Sequence, residues 1–196
     1  MRTLPEELIR KGIFRTRDAE ALGISRASLA THLARKTIEK DARGVYEIVG
    51  RETNEHFQFS VLAARGVPFV VSLLSALRLH GLTTQLPSSL WITVPHGRHC
   101  PIGTGVHTVC TDQSEPAYST GIEKRTMDGF SVSVYSAAKT VVDCFKFRRK
   151  VGLDVALEAL RAGWETKTVT VQELDRIAKI CRMDTVMRPY IEGMLS

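Results

Sequence analysis

The chain of 196 residues lacks the features of several classes of protein. No apolar run approaches the roughly 20 residues that a membrane-spanning helix needs. The opening segment MRTLPEELIRKG lacks the apolar stretch of a signal peptide. The four cysteines, at positions 100, 110, 144 and 181, are too few and too scattered for a disulfide framework. We therefore expect a soluble, cytoplasmic protein with reduced cysteines and no membrane partner.

Sequence motifs of common enzymes are also missing. The chain has no Gly-rich phosphate-binding loop and no Asp-x-Asp pair for metal-dependent nucleotidyl transfer. His80 and His107 could act as bases, but no serine or cysteine stands in a nucleophile motif. We expect that the protein is not an enzyme and needs no cofactor.

One group of potential metal ligands lies around a predicted strand, loop and strand. His96, His99, Cys100, His107 and Cys110 fall within fifteen residues, and zinc prefers such ligands. Their spacing matches no zinc module, and the intervening PIGTGV is typical of an ordinary loop. The favoured interpretation is exposed loop histidines with a buried cysteine, and a zinc site stays open as the alternative.

Positive charge is concentrated at the N-terminus. The chain has a formal net charge of +6. Residues 1–51 hold eleven Lys/Arg and seven Asp/Glu, a net of +4, and the remaining residues hold sixteen and fourteen, a net of +2. Such an excess favours a polyanionic partner.

Three short helices are predicted before residue 37. Thr3 begins a capping-box spacing and Gly12 ends the first helix, whose apolar residues, Ile9 among them, should face inward. The second helix is expected from 16 to 23. Ser25 is a natural N-cap for the third helix.

The third helix has one apolar and one polar face. Leu29 and Leu33 are four apart and face inward, which places small and hydroxyl-bearing residues and Arg35 on the opposite face. No acidic residue occurs from Ile24 to Ile38. This face suits a helix that enters the major groove of DNA.

A hairpin is predicted to follow. TIEKDARGVYEIVG alternates apolar and polar residues around the turn at residues 41–44. Helix, helix, turn, helix and basic hairpin indicate a winged helix-turn-helix, and a docking domain with a solvated basic face is the alternative. We expect phosphate contacts at the helix ends and hairpin tip, and base contacts from Ser28, Thr31 and Arg35 with help from His32. The predicted DNA-contacting residues are Arg17, Arg26, Ala27, Ser28, Thr31, His32, Arg35, Lys36, Lys40 and Arg43.

A second domain is expected after a linker at 52–56, so the predicted domains are 1–51 and 57–196. Strands within SLWITVP, GVHTVCT, GIEKRTM and FSVSVY are flanked by helices, which predicts an α+β fold with a small sheet. Asp128-Gly129 is a turn dipeptide. Helices are expected at 57–66, 72–80, 136–148, 153–163, 171–182 and 186–195.

The stretch SAAKTVVDCFKFRRKVGLD, residues 136–154, concentrates charge on one helix. Lys139 and Asp143 are four apart and share a flank of this helix. With no nucleophile or second carboxylate beside them, we predict that they do no chemistry and shape a surface through which the second domain acts. The predicted surface consists of Lys139, Asp143, Arg148, Arg149 and Lys150.

Several segments together resemble a known family. These are SALRLHGLT (75–83), WITVP (91–95), residues 121–161 with the block AKTVVDCFKFRRKVGLD, and VMRPYIEGML (186–195). They resemble the AbiEi antitoxins, transcriptional regulators of type IV toxin–antitoxin, abortive-infection operons, whose members also begin with a winged helix-turn-helix.

The resemblance implies two activities. The N-terminal domain would repress its own operon by binding double-stranded DNA at an operator of inverted repeats, and the C-terminal domain would neutralise a nucleotidyltransferase-like toxin without necessarily forming a stable complex. The alternative is a stand-alone transcriptional regulator whose C-terminal domain senses a ligand or mediates oligomerisation.

Overall fold

The computed structural model describes residues 3–50, 56–101 and 107–195, and it confirms a mixed α+β architecture with helices and two small sheets. The chain divides into two compact units. Unit 1 comprises Met1–Val67 and Thr126–Val132, and unit 2 comprises Pro68–Arg125 and Ser133–Ser196. Within the described ranges, no helix is both long and apolar enough to cross a membrane.

Unit 1 combines short helices with a three-stranded antiparallel sheet of order β1-β3-β2. The strands β2 and β3 form the predicted hairpin, with Arg43-Gly44 at its turn. The elements of its first segment are α1 (Glu6–Lys11), β1 (Ile13–Arg15), α2 (Thr16–Ala21), α3 (Arg26–Ala34), β2 (Ile38–Ala42), β3 (Val45–Ile48) and α4 (Phe57–Ala64).

The core of unit 1 forms where the three helices meet the sheet. Leu8 of α1, Phe14 of β1, Leu29 of α3 and Ile38 of β2 are buried in one cluster. The strand β1 was not predicted, because three residues are too few to show an alternating pattern. It pairs with β3 and thereby adds the third strand to the sheet.

The first helix differs from its prediction at two points. It begins at Glu6 after Pro5, so Thr3 does not cap it. Ile9 is 46% exposed rather than buried, because a helix of only six residues turns a narrow face with Leu8 to the core. Its end at Gly12 is as predicted, with φ of 73° in the left-handed region.

The helix after the expected linker, α4, clusters with unit 1. Phe57 and Val61 of α4 share a buried apolar cluster with Phe130 at the tip of a hairpin in the second half of the chain. Arg15 donates hydrogen bonds to the carbonyl oxygens of Ala63 and Ala64 at 2.6 and 2.8 Å. These carbonyls lie at the C-terminal end of α4, where a cation is favoured by the helix dipole.

Unit 2 contains the larger sheet and most of the helices. Its sheet is mixed, with strand order β6-β5-β4-β8-β7. The tip of its β7–β8 hairpin, Thr126–Val132, belongs to unit 1. The elements are β4 (Val70–Val71), α5 (Leu73–His80), β5 (Leu90–Pro95), β6 (Thr108–Gln113), β7 (Ile122–Met127), β8 (Phe130–Tyr135), α6 (Ala137–Lys146), α7 (Arg148–Val151), α8 (Leu153–Glu165), α9 (Val171–Cys181) and α10 (Asp184–Leu195).

The helix α6 is the centre of unit 2. Ser136 caps it by accepting a hydrogen bond from the backbone N–H of Lys139. It packs against α5, α8, α9 and α10, and every residue from Ala138 to Phe145 is buried. Because α6 is covered on all sides, the charged residues Lys139 and Asp143 on it are buried as well.

Candidate nucleic-acid interface

The helix α3 begins at a capped N-terminus and exposes the face opposite Leu29. Ser25 Oγ accepts a hydrogen bond from the backbone N–H of Ser28 at 3.2 Å, as the sequence predicts. Leu29 is buried in the unit 1 core, so Arg26 and its neighbours on the other side of the helix face solvent. The helix end that would enter a groove is therefore free of bulky apolar side chains.

The predicted base-reading residues lie at different depths. Ala27, Thr31 and Arg35 are exposed, and Thr31 Oγ1 donates to the Ala27 carbonyl at 3.1 Å. Ser28 is half-buried, and its Oγ is shielded from solvent without a hydrogen-bond partner among the described residues. A base contact from Ser28 thus requires another side-chain rotamer.

His32 does not lie on the exposed face. It is 3% exposed, and its Nδ1 lies 2.9 Å from Thr37 Oγ1. The expectation that it assists base reading is wrong for this conformation, because the ring is covered where α3 meets the hairpin. Helical spacing alone places position 32 at the flank of α3 and cannot show which flank the hairpin covers.

Arg26 has an acidic neighbour that the sequence did not reveal. Its Nε lies 2.9 Å from Glu20 Oε1 of α2, and both side chains are exposed. The residues of α3 itself contain no acid, but the turn between the helices brings this carboxylate close. An exposed pair of this kind is weak, so phosphate can compete for Arg26.

Two further cations lie at the C-terminal end of α3, and a third lies near the start of α2. Lys36 follows the helix in a left-handed conformation with φ of 55°, and it is exposed. Arg17 near the start of α2 is exposed and lies 3.9 Å from Asp18. Arg35 is the C-terminal cap residue of α3. Arg35 and Lys36 therefore adjoin the exposed face of α3, and Arg17 lies on the preceding helix.

The remaining predicted cations lie on the hairpin, Lys40 in β2 and Arg43 at the turn. Lys40 and Arg43 are exposed, and neither takes part in an ion pair within the described residues. Gly44 adopts φ of 73°, and its carbonyl accepts a hydrogen bond from the backbone N–H of Thr16 at 2.9 Å. This hydrogen bond connects the turn to the start of α2 and thereby restrains the backbone next to Arg43.

A largely buried ion pair holds the hairpin from the end of α4. Arg65 donates to both carboxylate oxygens of Asp41, through Nε at 2.7 Å and through its terminal nitrogen at 2.5 Å. The hydrogen bond to Asp41 raises the pKa of Arg65 above its usual value. Burial and the nearby Asp41 raise the pKa of Glu47 on the neighbouring strand. Sequence reasoning missed this pair, because 24 residues separate its members.

The pair Lys139 and Asp143 is not on a surface. Both side chains are 0% exposed, and Lys139 Nζ lies 2.5 Å from Asp143 Oδ2. The prediction that they shape an outer surface is therefore wrong for these two residues. The physical reason is that α6 is enclosed by four other helices, which one helix's pattern of apolar residues cannot reveal.

The buried pair belongs to a polar network with an edge strand. Gln113 of β6 donates to Asp143 Oδ2 at 2.9 Å and accepts from Lys146 Nζ at 2.9 Å. Lys139 Nζ also lies 4.1 Å from the centre of the Tyr135 ring. Burial raises the pKa of the Asp143 carboxyl, and the Lys139 ammonium opposes that rise. This arrangement links α6 to β6 and β8.

The basic run after α6 remains accessible. Arg149 and Lys150 of α7 are exposed, and Arg148 is half-buried with its guanidinium donating to the Phe145 carbonyl at 2.8 Å. Of the five residues predicted to form the second surface, these three are the ones near solvent.

The histidines of the histidine and cysteine cluster are exposed, as the favoured interpretation expects, but the cysteines differ from it. Cys100 and Cys110 form a disulfide, so the expectation of reduced cysteines is wrong for them. His96 Nδ1 lies 2.6 Å from Asp112, and His107 Nδ1 lies 3.0 Å from Ser89. Within the described ranges no three metal-ligating side chains converge, and disulfide sulfurs offer no thiolate to zinc.

Comparisons with known proteins match the N-terminal part of the chain to one family. Residues 2–49 match a family model described as "Transcriptional regulator, AbiEi antitoxin". No curated protein matches the chain. Among solved structures, the "RV2827C protein from Mycobacterium tuberculosis" is similar with a TM-score of 0.60 and 13% sequence identity, over 91% of this chain and 73% of that one. At this identity the likeness concerns the fold alone.

The family match covers the three helices and the hairpin of unit 1, including α3 and its surrounding cations. The family that the sequence resembles is thereby confirmed for residues 2–49, which match the AbiEi antitoxin transcriptional regulators, whereas the segments on which the resemblance rested lie outside this match.

Proposed function

We propose that the protein is a DNA-binding transcriptional regulator in which unit 1 acts as a winged helix-turn-helix. One observation carries the proposal. The exposed face of α3 and the exposed cations of the β2–β3 hairpin both lie within residues 2–49, the segment that matches a family of transcriptional regulators. Regulation by this family is not an enzymatic activity, and we propose none here.

The proposed contacts divide into two kinds. Arg35, with Thr31 and a rotated Ser28, reads base edges in the major groove, since a guanidinium can bond both O6 and N7 of guanine. Phosphates are held by the cations at the border of this face. These are Arg17, Arg26, Lys36, Lys40 and Arg43.

We further propose that the protein is the antitoxin of an operon that also encodes a nucleotidyltransferase-like toxin. The family description supports this role for the chain, and the operator would contain inverted repeats. Arg149 and Lys150 of α7, which are exposed, are the residues of unit 2 that we propose for toxin neutralisation.

The second candidate is a stand-alone regulator whose unit 2 only joins protomers or senses a ligand. One observation favours it: the family match ends at residue 49 and leaves unit 2 unmatched. The neighbouring gene discriminates the two candidates, since an antitoxin requires a nucleotidyltransferase gene beside its own.

DNA binding is tested with the full chain, because α4 packs into unit 1 and a fragment that ends at residue 56 would remove it. Fluorescence anisotropy with DNA from upstream of the gene should show binding that falls steeply with salt. Arg43→Ala should weaken it, and Arg149→Ala, a matched loss of an exposed arginine in unit 2, should not. Equal effects of both variants would contradict the assignment to unit 1.

The antitoxin role is tested by rescue of cells that express the neighbouring nucleotidyltransferase. The wild-type chain should restore growth. The variant Arg149→Ala/Lys150→Ala should keep operator binding and lose rescue, because its changes are confined to α7. If the α7 variant still rescues growth and only variants that lose operator binding fail to do so, the result would support the stand-alone regulator instead.

A further inference from the structure

The helix α8 carries a partly exposed stripe of apolar residues beside its buried face. The buried face contains Val155, Ala156, Ala159, Leu160 and Gly163. Next to it Leu153, Leu157 and Trp164 follow at helical spacing. Leu153 is 38% and Trp164 37% exposed, and Leu157 is partly buried against the unit 2 core. Exposed tryptophan is depleted on free surfaces and enriched at interfaces. The stripe is therefore a candidate contact surface.

Two grooves flank Trp164. One, of about 480 Å³, lies between α8 and α10 and is lined by Leu157, Leu160 and Tyr190. The other, of about 640 Å³, lies between the end of α8 and the start of α9 and is lined by Val169 and other residues. A protruding aromatic side chain between two concavities is a surface that can fit a second copy of itself.

The charged residues beside Trp164 favour a second copy of the chain as the partner of this surface. Arg161 and Glu165 are exposed, one turn apart on the same face of α8, and neither takes part in an ion pair among the described residues. If two copies of α8 cross antiparallel, an axis near Gly163 places Arg161 of each copy opposite Glu165 of the other. Both pairs form at once, since a two-fold contact uses the same patch twice.

We infer that this face of unit 2 is the contact of a two-fold dimer of the chain. The Trp164 ring of each copy enters the groove between α8 and α10 of the other, and two Arg161–Glu165 ion pairs flank the rings. Such a dimer would present two copies of α3. This inference goes beyond DNA binding and does not depend on it, because the mass of the protein is measured without DNA.

The first experiment measures the mass of the full chain by sedimentation velocity across a dilution series. The wild-type chain should be a dimer, twice 21.8 kDa, at high micromolar concentration. Arg161→Glu should weaken the dimer at least about tenfold, because the introduced carboxylate of each copy would repel Glu165 of the other. Lys124→Glu, the same change of charge at an exposed residue of β7, should have no effect.

A reciprocal exchange sharpens the test. Glu165→Arg alone should also weaken the dimer, and Arg161→Glu/Glu165→Arg together should restore it, because opposite charges face each other again across the axis. A dimer that survives all three variants would overturn the proposed face. A wild-type chain that stays monomeric at high micromolar concentration would overturn the dimer itself.

Gly193 offers a variant that cannot be mistaken for misfolding. It lines the groove between α8 and α10, and a Cβ at this position would meet no atom within 4 Å. Gly193→Leu should therefore fold at least as well as the wild type, since leucine favours helix over glycine. It should nevertheless block the groove and yield a monomer. A folded Gly193→Leu dimer of unchanged affinity would contradict the inference.

Discussion

Two helices of this protein carry charged side chains that differ in their exposure to solvent. In unit 1, α3 and its border hold arginine and lysine at exposed positions, and their ammonium and guanidinium groups are available to a polyanion. In unit 2, α6 holds Lys139 and Asp143 at positions without any exposure. The difference arises from neighbours: the core and the hairpin cover one side of α3, and helices enclose α6.

The comparison shows that the burial of a charged residue predicts its role. A charge in water gains little from a nearby partner and remains free to bind a ligand. A charge in the core must be paired, since removing its partner leaves an ion that water cannot reach. We therefore expect substitutions in α6 to change stability and substitutions around α3 to change binding.

The largest effect is expected at Asp143. Asp143→Ala removes the carboxylate that neutralises Lys139 and bonds Gln113, so the free energy of unfolding should fall by roughly 3–5 kcal/mol. Urea denaturation measures the loss. A loss no larger than that of a surface substitution would contradict the buried ion pair.

A double substitution sharpens the same point. Lys139→Met/Asp143→Leu removes both charges and keeps apolar volume, so it should be much less destabilising than Asp143→Ala. Its remaining cost comes from Gln113, whose amide N–H loses Asp143 as an acceptor while its oxygen still accepts from Lys146. A double variant as unstable as the single one would show that the network, rather than the unpaired charge, sets the cost.

The next effect concerns base recognition by α3. Arg35→Ala should leave the free energy of unfolding unchanged, because the side chain is exposed. It should reduce discrimination at one or two base positions of each half-site by about 1–3 kcal/mol. Binding to a library of single-base operator variants measures this. A uniform loss across the library would assign Arg35 to phosphate.

A smaller effect is expected at the hairpin. Arg43→Ala should weaken binding to all DNA sequences about equally and reduce the slope of log affinity against log salt by about 1. The physical reason is the loss of one phosphate contact and of the counterion that it releases. An unchanged slope would place Arg43 outside the interface.

The smallest effect concerns pH and arises from His80 in unit 2. Its Nδ1 lies 3.1 Å from a guanidinium nitrogen of Arg125, so its Nε2–H donates to the Tyr135 carbonyl at 2.7 Å. Burial, with a smaller contribution from Arg125, lowers the pKa of His80 below 6.5. The unfolded chain then binds the proton more readily, so stability should fall as pH falls below 6.5.

The comparison for this prediction is the variant His80→Gln. Its free energy of unfolding should vary less between neutral pH and about pH 5 than that of the wild type. A wild-type protein with the same pH profile as His80→Gln would show that the histidine does not titrate differently in the folded state.

Much of the fold followed from local signals. Ser25, Ser136 and Gly81 mark helix ends where the sequence predicts them, since caps depend on a few neighbouring residues. The turn at Asp128-Gly129 has positive φ at both residues, as such a hairpin dipeptide requires. Exposed Arg35 and Arg43 also followed from helical spacing and turn chemistry.

The remaining features depend on contacts between distant residues. The pairing of Asp41 with Arg65 and the disulfide of Cys100 with Cys110 bring separate segments together. The burial of His32, Lys139 and Asp143 depends on which elements cover their helices. A single sequence contains no local pattern for such coverage, so these positions were misjudged.

The most direct test of the contrast between the exposed cations of unit 1 and the buried charges of α6 is one variant measured in two ways. Arg35→Ala, Lys36→Ala, Lys40→Ala and Arg43→Ala are combined in the full chain, and both its free energy of unfolding and its affinity for upstream DNA are determined at low salt. We predict wild-type stability and loss of DNA binding, because these cations are exposed and serve the nucleic acid. Unchanged DNA binding by the folded variant would contradict the assignment of unit 1 as the DNA-binding part of the protein.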